Sequence, residues 1–475
     1  MKIKASRADV IWSYVGTFFS SSSSFLLLPF ILHFLSGNQI GMWYIFLAIN
    51  GLVSLFDFGF DPTFARNIAY AWSGAKSLTK IGASQFSENS TPNIHLLRII
   101  IATSKRLYGM LSLAAFATVG TIGTFYVLHV GHVISFDSLM PAWIIFCIAL
   151  FMNLYLGYYS ALLRGLGAVA NINQATFISK AIQFVLSALG LMFGFGLIAV
   201  ALGFFANGIV FRILCKYSFD SFKMQQTQAW QEPVSRADIL STLHLVSFNA
   251  VRDGIVAVSN YLVTQASSIL ASLFLTLTQT GVYSISLQLA TAVSNISASM
   301  IYAYHPTFQS AFLNHDLKTQ KKVVSRGLSM LYALTVLGTL AVCFVVFPLL
   351  RFFKPSSSFS IPFFIGMSVY MLLWQQQSAG ASYISDTNNV PYVRAYLISG
   401  LLSVLLTVAL LTTGKLGVWP LIIGPGLVQL SYNNWKWLSS VFQRLQTSLR
   451  QSLLEGFSGW TVLLKREFKR GESEK

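Results

Sequence analysis

Twelve apolar stretches follow one another along nearly the whole of this 475-residue chain, each about 20 residues long. They fall at about 11–33, 40–60, 107–130, 141–162, 175–194, 196–215, 245–272, 282–305, 328–349, 361–383, 394–413 and 417–435. Each is long enough to cross the hydrocarbon core as a helix, the form in which a spanning segment satisfies its own backbone. Repeated this often, they predict an all-α polytopic membrane protein with twelve transmembrane helices. Charge agrees. Asp, Glu, Lys and Arg make up 10% of the residues, against about 25% in soluble domains, too few to clothe a water-facing surface.

The basic residues then orient the chain. With the N-terminus inside, 27 of the 32 Lys and Arg fall in the inner segments 1–10, 61–106, 163–174, 212–240, 306–327, 394 and 436–475. Arg351, Lys354 and Lys415 are left outside, and Lys180 and Arg252 fall within spans. Under the positive-inside rule this predicts a multi-pass protein of the cytoplasmic (inner) membrane with both termini cytoplasmic. It also accounts for the net charge of +17 through anionic membrane lipids, so nucleic acid is not an expected partner.

A repeat suggests how the helices are grouped. Gly41 to Gly74 (GMWYIFLAINGLVSLFDFGFDPTFARNIAYAWSG) has a degraded copy from Gly281 (GVYSISLQLATAVSNISASMIYAYHPTFQS). Both run from Gly and aromatic residues through an apolar helix to Pro-Thr-Phe, at Pro62 and at Pro306. Two similar halves are a common plan for transporters. The expected organisation is a six-helix bundle at 1–220, a polar cytoplasmic linker at 221–240, a second six-helix bundle at 241–435 and a tail at 436–475. In that tail Leu438, Phe442, Leu445, Leu449 and Leu453 recur at helical spacing, predicting an amphipathic helix on the cytoplasmic leaflet and a second after Gly456.

Chemistry-bearing motifs are scarce. There is no G-x-x-x-x-G-K-[ST] and no H-E-x-x-H, and the three cysteines and seven histidines have no ligand spacing. The expected external loops reach only about ten residues, which leaves little room for an external catalytic site, so no enzyme activity, cofactor or metal is expected. Function should instead sit on polar residues inside spans. Asp57 and Asp61, one turn apart, are expected at the cytoplasmic end of the second helix, with a break at Gly59 and Pro62. Two readings stand: a gate pairing them with Arg66 or with a base of the other half, or a helix-end network. Aligned on Pro-Thr-Phe, Asp57, Asp61 and Arg66 are replaced by Ile301, His305 and Ser310. Arg252 and Asp253, about 100° apart on one helix, need separate partners. Arg252 reads as a cavity cation or as a snorkelling arginine, and Lys180 shares that ambiguity. Trp374, Gln375, Gln376, Gln377, Asn433 and Asn434 read as cavity lining, and Ser20 to Ser24 as helix packing.

The Gly-x-Trp-Tyr start, the core Asp57 to Asn67 (DFGFDPTFARN) and Ala71 to Gly74 together resemble the Wzx-type oligosaccharide and O-antigen flippases. These belong to the multidrug/oligosaccharidyl-lipid/polysaccharide exporter superfamily. The resemblance implies a MATE-like, V-shaped pair of bundles with a cation-lined cavity, a role that maps onto Arg66, Lys180 and Arg252. It implies flipping of an undecaprenyl-pyrophosphate-linked oligosaccharide, in lipopolysaccharide biosynthesis for example, alongside other polysaccharide assembly proteins. Protons or sodium at Asp57, Asp61 or Asp253 would reset such a carrier. Two alternatives stay open: a cation-coupled multidrug exporter of the same superfamily, and a membrane-embedded polymerase or transferase.

Overall fold

The computed structural model describes residues 26–77, 92–224, 234–354, 359–386 and 391–473. The Ser20–Ser24 run and most of the expected linker lie outside them, as do the side chains of Arg252 and Asp253. The described chain is helical throughout, and every predicted apolar stretch falls on helix, the first of them described from residue 26. The protein is an all-α polytopic membrane protein. Its helix surfaces are apolar where a soluble protein's are charged: Phe125 and Phe352 are each 79% exposed, which suits contact with lipid rather than water.

By contact density the chain divides into two compact units, Met1–Tyr261 and Leu262–Lys475. The first contains α1 (described over 26–34), α2 (Gly37–Ser54), α3 (Phe60–Trp72), α4 (Ile94–Thr118), α5 (Thr124–Val130), α6 (Phe136–Tyr155), α7 (Tyr158–Gly165), α8 (Val169–Met192), α9 (Leu197–Met224) and most of α10 (Arg236–Thr264). The second contains α11 (Ala266–Phe274), α12 (Leu277–Leu313), α13 (Leu317–Ala341), α14 (Phe347–Phe353), α15 (Ile361–Ser385), α16 (Val393–Thr412), α17 (Pro420–Ser431), α18 (Asn433–Leu445) and α19 (Leu449–Ser473). The division falls near the end of α10, some way beyond the expected 221–240 linker.

Both units repeat one detailed pattern. α4 has 25 residues, then a five-residue π-turn (Val119–Gly123), then the seven of α5. α13 has 25, a π-turn of five (Val342–Val346), then the seven of α14. Even the caps correspond. The Asn93 side chain accepts from the Leu96 N–H at 3.0 Å, and the Asp316 carboxylate from the Thr319 N–H at 3.0 Å. Hydrogen bonds from the Thr319 side chain and then from its backbone N–H hold the exposed Asp316 carboxyl below the usual carboxylate range.

Seven helices among the described residues are long and apolar enough to span a membrane, or eight if the 40° bent pair Gly254–Thr264 and Ala266–Phe274 counts as one. α12 and α15, where spans were also predicted, fall outside that group despite their length. Ser284, Ser286, Ser294 and Ser297 on α12, and Ser368 with Gln375 to Gln377 on α15, are buried polar residues that lower their hydropathy.

The tail differs from expectation. Leu438, Val441, Phe442 and Leu445 of α18 are buried in the second unit's core with Ile301, Phe308, Leu328 and Tyr383, and Leu449 and Leu453 pack against the same cluster. The apolar stripe is therefore covered by protein rather than lipid. The break falls at Gln446, which is left-handed (φ 51°), and not at Gly456. Gly456 lies inside α19, where a Cβ would sit 2.2 Å from the Ser325 carbonyl oxygen, so it brings α19 close onto α13.

Candidate functional site

The two repeat copies diverge where chemistry is concentrated. α12 runs unbroken through its Pro-Thr-Phe. The first copy breaks: α2 ends at Ser54, a turn of 3-10 helix covers Leu55–Asp57, and Phe58 (φ 48°) and Gly59 (φ 76°) are both left-handed before α3 starts at Phe60. Left-handed backbone is easy for glycine and strained for phenylalanine. Phe58 is held there by α10, because Gly254 has no Cβ: one would stand 2.3 Å from the Phe58 ring. α10 also donates from the Tyr261 hydroxyl to the Ala48 carbonyl at 3.0 Å. A second break, at Leu156–Gly157, divides α6 from α7.

A cavity of about 260 Å³ opens between these two breaks. Ser54, Asp57 and Asp61 line it from the first, Asn153, Gly157 and Ser160 from the second, with Asn50 on α2, Tyr108 on α4 and Arg212 on α9. Asp57 accepts from the Tyr108 hydroxyl and, at 3.3 Å, from the Asp61 N–H. Asp61 pairs through Oδ2 with Arg164 Nη2 at 2.5 Å. Arg212 donates through Nη2 to the Asn153 carbonyl at 3.0 Å. Three buried polar atoms of these lining residues have no partner within the protein: Asp61 Oδ1, Asn153 Oδ1 and Arg212 Nε. Buried polar atoms are usually satisfied, so these three make the cavity a candidate place for a polar ligand; others, such as Ser368 Oγ and Asn434 Oδ1, lie away from it.

The helix break changes the electrostatics expected of the acids. Asp61 is in the first turn of α3 rather than the last turn of α2, where a helix dipole favours an anion. Its cation is Arg164 of α7; Arg66 is exposed and makes neither expected pairing. Lys180 does not line the cavity, and its Nζ donates to Gln183 Oε1 on its own helix at 3.1 Å. Arg252 and Asp253 lie on α10 just before Gly254, and the geometry of their side chains is outside the described residues.

Gln375, Gln376 and Asn433 of the second unit bond groups on other helices, and Asn434 Oδ1 is buried without a partner. Gln375 Oε1 accepts from Ser294 and its Nε2 donates to the Tyr302 hydroxyl; Gln376 accepts from Tyr332 and donates to the Asn434 carbonyl. Asn433 donates to Ser399 at 2.7 Å and to Gln429 at 3.1 Å, and accepts from Trp437 at 3.0 Å. Trp374 packs its ring 6.2 Å from that of Tyr396. These residues join α15 to α12, α13, α16 and α18, and α18 to α16 and α17.

Sequence reasoning missed Arg164 and Arg212. Both were counted among the inner loops, although Arg212 lies three residues inside the end of its own predicted stretch. A base so placed is the signal that could have found it.

No family model matches the sequence, and no curated relative does at the level of sequence. Solved structures do match. An inward-facing multidrug resistance MATE family transporter of the MOP superfamily aligns with 91% of this chain and 98% of its own, at a TM-score of 0.65 and 11% identity. The fold is that of the MATE transporters. An outward-facing structure of such a transporter matches with a TM-score of 0.58, 13% identity, and 92% and 95% of the two chains. A MOP superfamily transporter from Pyrococcus furiosus, described as having a binding pocket of reversed polarity, matches at 0.51, with 12% identity over 93% and 96%.

Proposed function

We propose that the protein is a carrier of the cytoplasmic membrane that flips a polyprenyl-pyrophosphate-linked oligosaccharide to the outer leaflet by alternating access. The observation that carries this reading is Arg212, a cation inside a membrane-spanning helix, facing a cavity at two helix breaks with Nε unpaired. Discontinuous helices are where transporters place substrate and ion sites, and an intramembrane cation is by default functional. A cavity of about 260 Å³ is smaller than a drug-sized site, so its role is to hold a charged part of the cargo, not the whole glycan. The polyprenyl tail stays in lipid. An anion leaving a negative interior gains about 2.3 kcal/mol per charge per 100 mV, so no nucleotide site is needed. Both termini are taken as cytoplasmic.

Asp57 and Asp61 favour a second reading in the same cavity, a cation-coupled exporter. Asp61 is already neutralised by Arg164, which leaves Asp57 and Arg212 as the charges that a cargo or an ion would meet. In a flippase the same carboxylates would take the proton or sodium that resets the carrier. Native mass spectrometry of the gently purified protein tests the reading. A bound polyprenyl-pyrophosphate glycan, lost in Arg212→Ala, is expected. Ordinary phospholipid alone, together with ion-driven efflux of organic cations, would favour the exporter.

A further inference from the structure

The alignment on Pro-Thr-Phe sets Asp61 opposite His305, and the structure pairs both residues in the same way. Asp61 meets Arg164, in the last turn of α7, at 2.5 Å; His305 meets Asp386, which caps the end of α15, at 2.5 Å. α7 ends the helical run that follows α4–α5, and α15 is the helix that follows α13–α14. The two pairs are thus repeat-related, with the charges exchanged: acid then base in the first unit, base then acid in the second.

They differ in what a proton can do. Arg164 is always charged. A histidine ring, unlike a guanidinium, can take up and release a proton. Its setting is also drier: the His305 and Asp386 side chains are 16% and 10% exposed, against 47% and 23% for Arg164 and Asp61. His305 is held at both nitrogens, Nδ1 by Asp386 Oδ2 and Nε2 by the Ser382 hydroxyl at 2.9 Å. Asp386 Oδ1 accepts from Gln309 Nε2 at 2.9 Å. With the ring neutral, Nδ1–H still donates to Asp386 and Nε2 accepts from Ser382. With the ring charged, Nε2–H donates to Ser382 and Asp386 faces a cation. Both states are fully hydrogen-bonded, so the proton enters without forcing a rearrangement.

We propose that His305, Asp386 and Ser382 form a proton-binding site that clasps α12 to α15, the titratable counterpart of the fixed Asp61–Arg164 pair. The neighbouring charges do not compete for it. From α13, Lys321 pairs with Glu455 of α19 at 3.1 Å, and Arg326 lies over the Trp460 ring. From α18, Arg444 lies over Phe308 and Phe312 and donates to Gln320. From α15, Tyr383 presents its ring 5.8 Å from that of His305, and on α12 itself Tyr302 lies 5.9 Å away. Protonation strengthens the clasp by making its hydrogen bond charge-assisted at both ends; loss of the proton weakens it. As the coupling site of a carrier this rests on the proposed function; as a proton site it does not.

The test reads protection rather than transport. Hydrogen exchange of the full-length protein in lipid nanodiscs, corrected for the chemical rate, is followed across pH at the ends of α12 and α15 and at α3 and α7. Protection of the α12 and α15 ends is expected to fall on the order of tenfold as pH rises through the imidazole range, while α3 and α7 stay level. His305→Arg should stay protected throughout, and His305→Gln should be flat at the weaker level. A level wild-type profile at α12 and α15, or an equal fall at α3 and α7, overturns the site whatever the variants do. Neither outcome bears on which lipid the protein binds.

Discussion

Gly380 lets α15 lie close on the backbone of α18, and a single methyl group there tests both the packing of α18 and the network it carries. A Cβ on residue 380 would lie 2.6 Å from the Leu438 nitrogen, 2.9 Å from its Cα and 2.9 Å from the Trp437 carbonyl carbon. All three are backbone atoms, so no side chain can swing aside. Reaching even the short edge of van der Waals contact requires the two helices to part by about 0.9 Å. Overpacking of this kind costs about 1–3 kcal/mol. The 3.1 Å bond from Gln376 to the Asn434 carbonyl crosses the same seam, and its loss adds about 1 kcal/mol. Against this, alanine is better than glycine in a helix by about 1 kcal/mol. Gly380→Ala should therefore destabilise by about 2 kcal/mol. Gly426→Ala on α17 is the control: only Tyr370 Cδ2 comes within 4 Å of its Cβ, at 3.8 Å, so the propensity gain should show alone. Unfolding midpoints in mixed detergent micelles, followed by tryptophan fluorescence, measure both. If Gly380→Ala unfolded no earlier than wild type, or if Gly426→Ala fell as far, the close approach of α18 would be wrong.

The same assay checks two further sites. Gly208→Ala would put a methyl group 1.9 Å from Asn153 Oδ1; a loss of about 1–3 kcal/mol is expected, most of it recovered when Asn153→Ala is added, and strict additivity would refute the contact. For Asp61 and Arg164, the exposure of the arginine limits their double-mutant coupling to about 1 kcal/mol or less; a coupling above about 2 kcal/mol would mean that the pair is buried more deeply than the geometry gives.

Hydropathy carried the fold because lipid imposes it: a segment that must satisfy its own backbone needs about 20 apolar residues, and that length is visible in one sequence. The repeat was visible for the same reason at Pro-Thr-Phe. The site was only half legible. Asp57 and Asp61 stood out as charges inside a span, but their partners are set by tertiary contact: Asp61 chose Arg164, 103 residues away, over nearby Arg66. Gln375, Gln376, Asn433 and Asn434 suggested a water-lined cavity because an amide cannot satisfy itself along its own helix. In the folded unit Gln375, Gln376 and Asn433 each find another helix's hydroxyl, amide or carbonyl, which a pattern of residue types does not reveal. The stripe of Leu438, Phe442 and Leu445 is equally ambiguous, since lipid and a protein core ask for the same spacing.

The two halves differ in the continuity of their helices. In the second unit α12 and α15 are continuous, and Ser294 of α12 bonds Gln375 of α15. In the first, the corresponding segments are interrupted at Phe58–Gly59 and Leu156–Gly157. An interrupted helix frees backbone and side-chain polar groups that lipid cannot satisfy, so an interruption persists only where protein or a polar cavity meets it. Two interruptions facing one cavity meet this need together, and Asp57, Asp61, Asn153 and Arg212 gather there. At the corresponding position the second unit carries the His305–Asp386 pair. Duplication thus supplied two copies of one scaffold. Only the first copy is broken ahead of its Pro-Thr-Phe, and that break is where Asp57 and Asp61 meet the cavity.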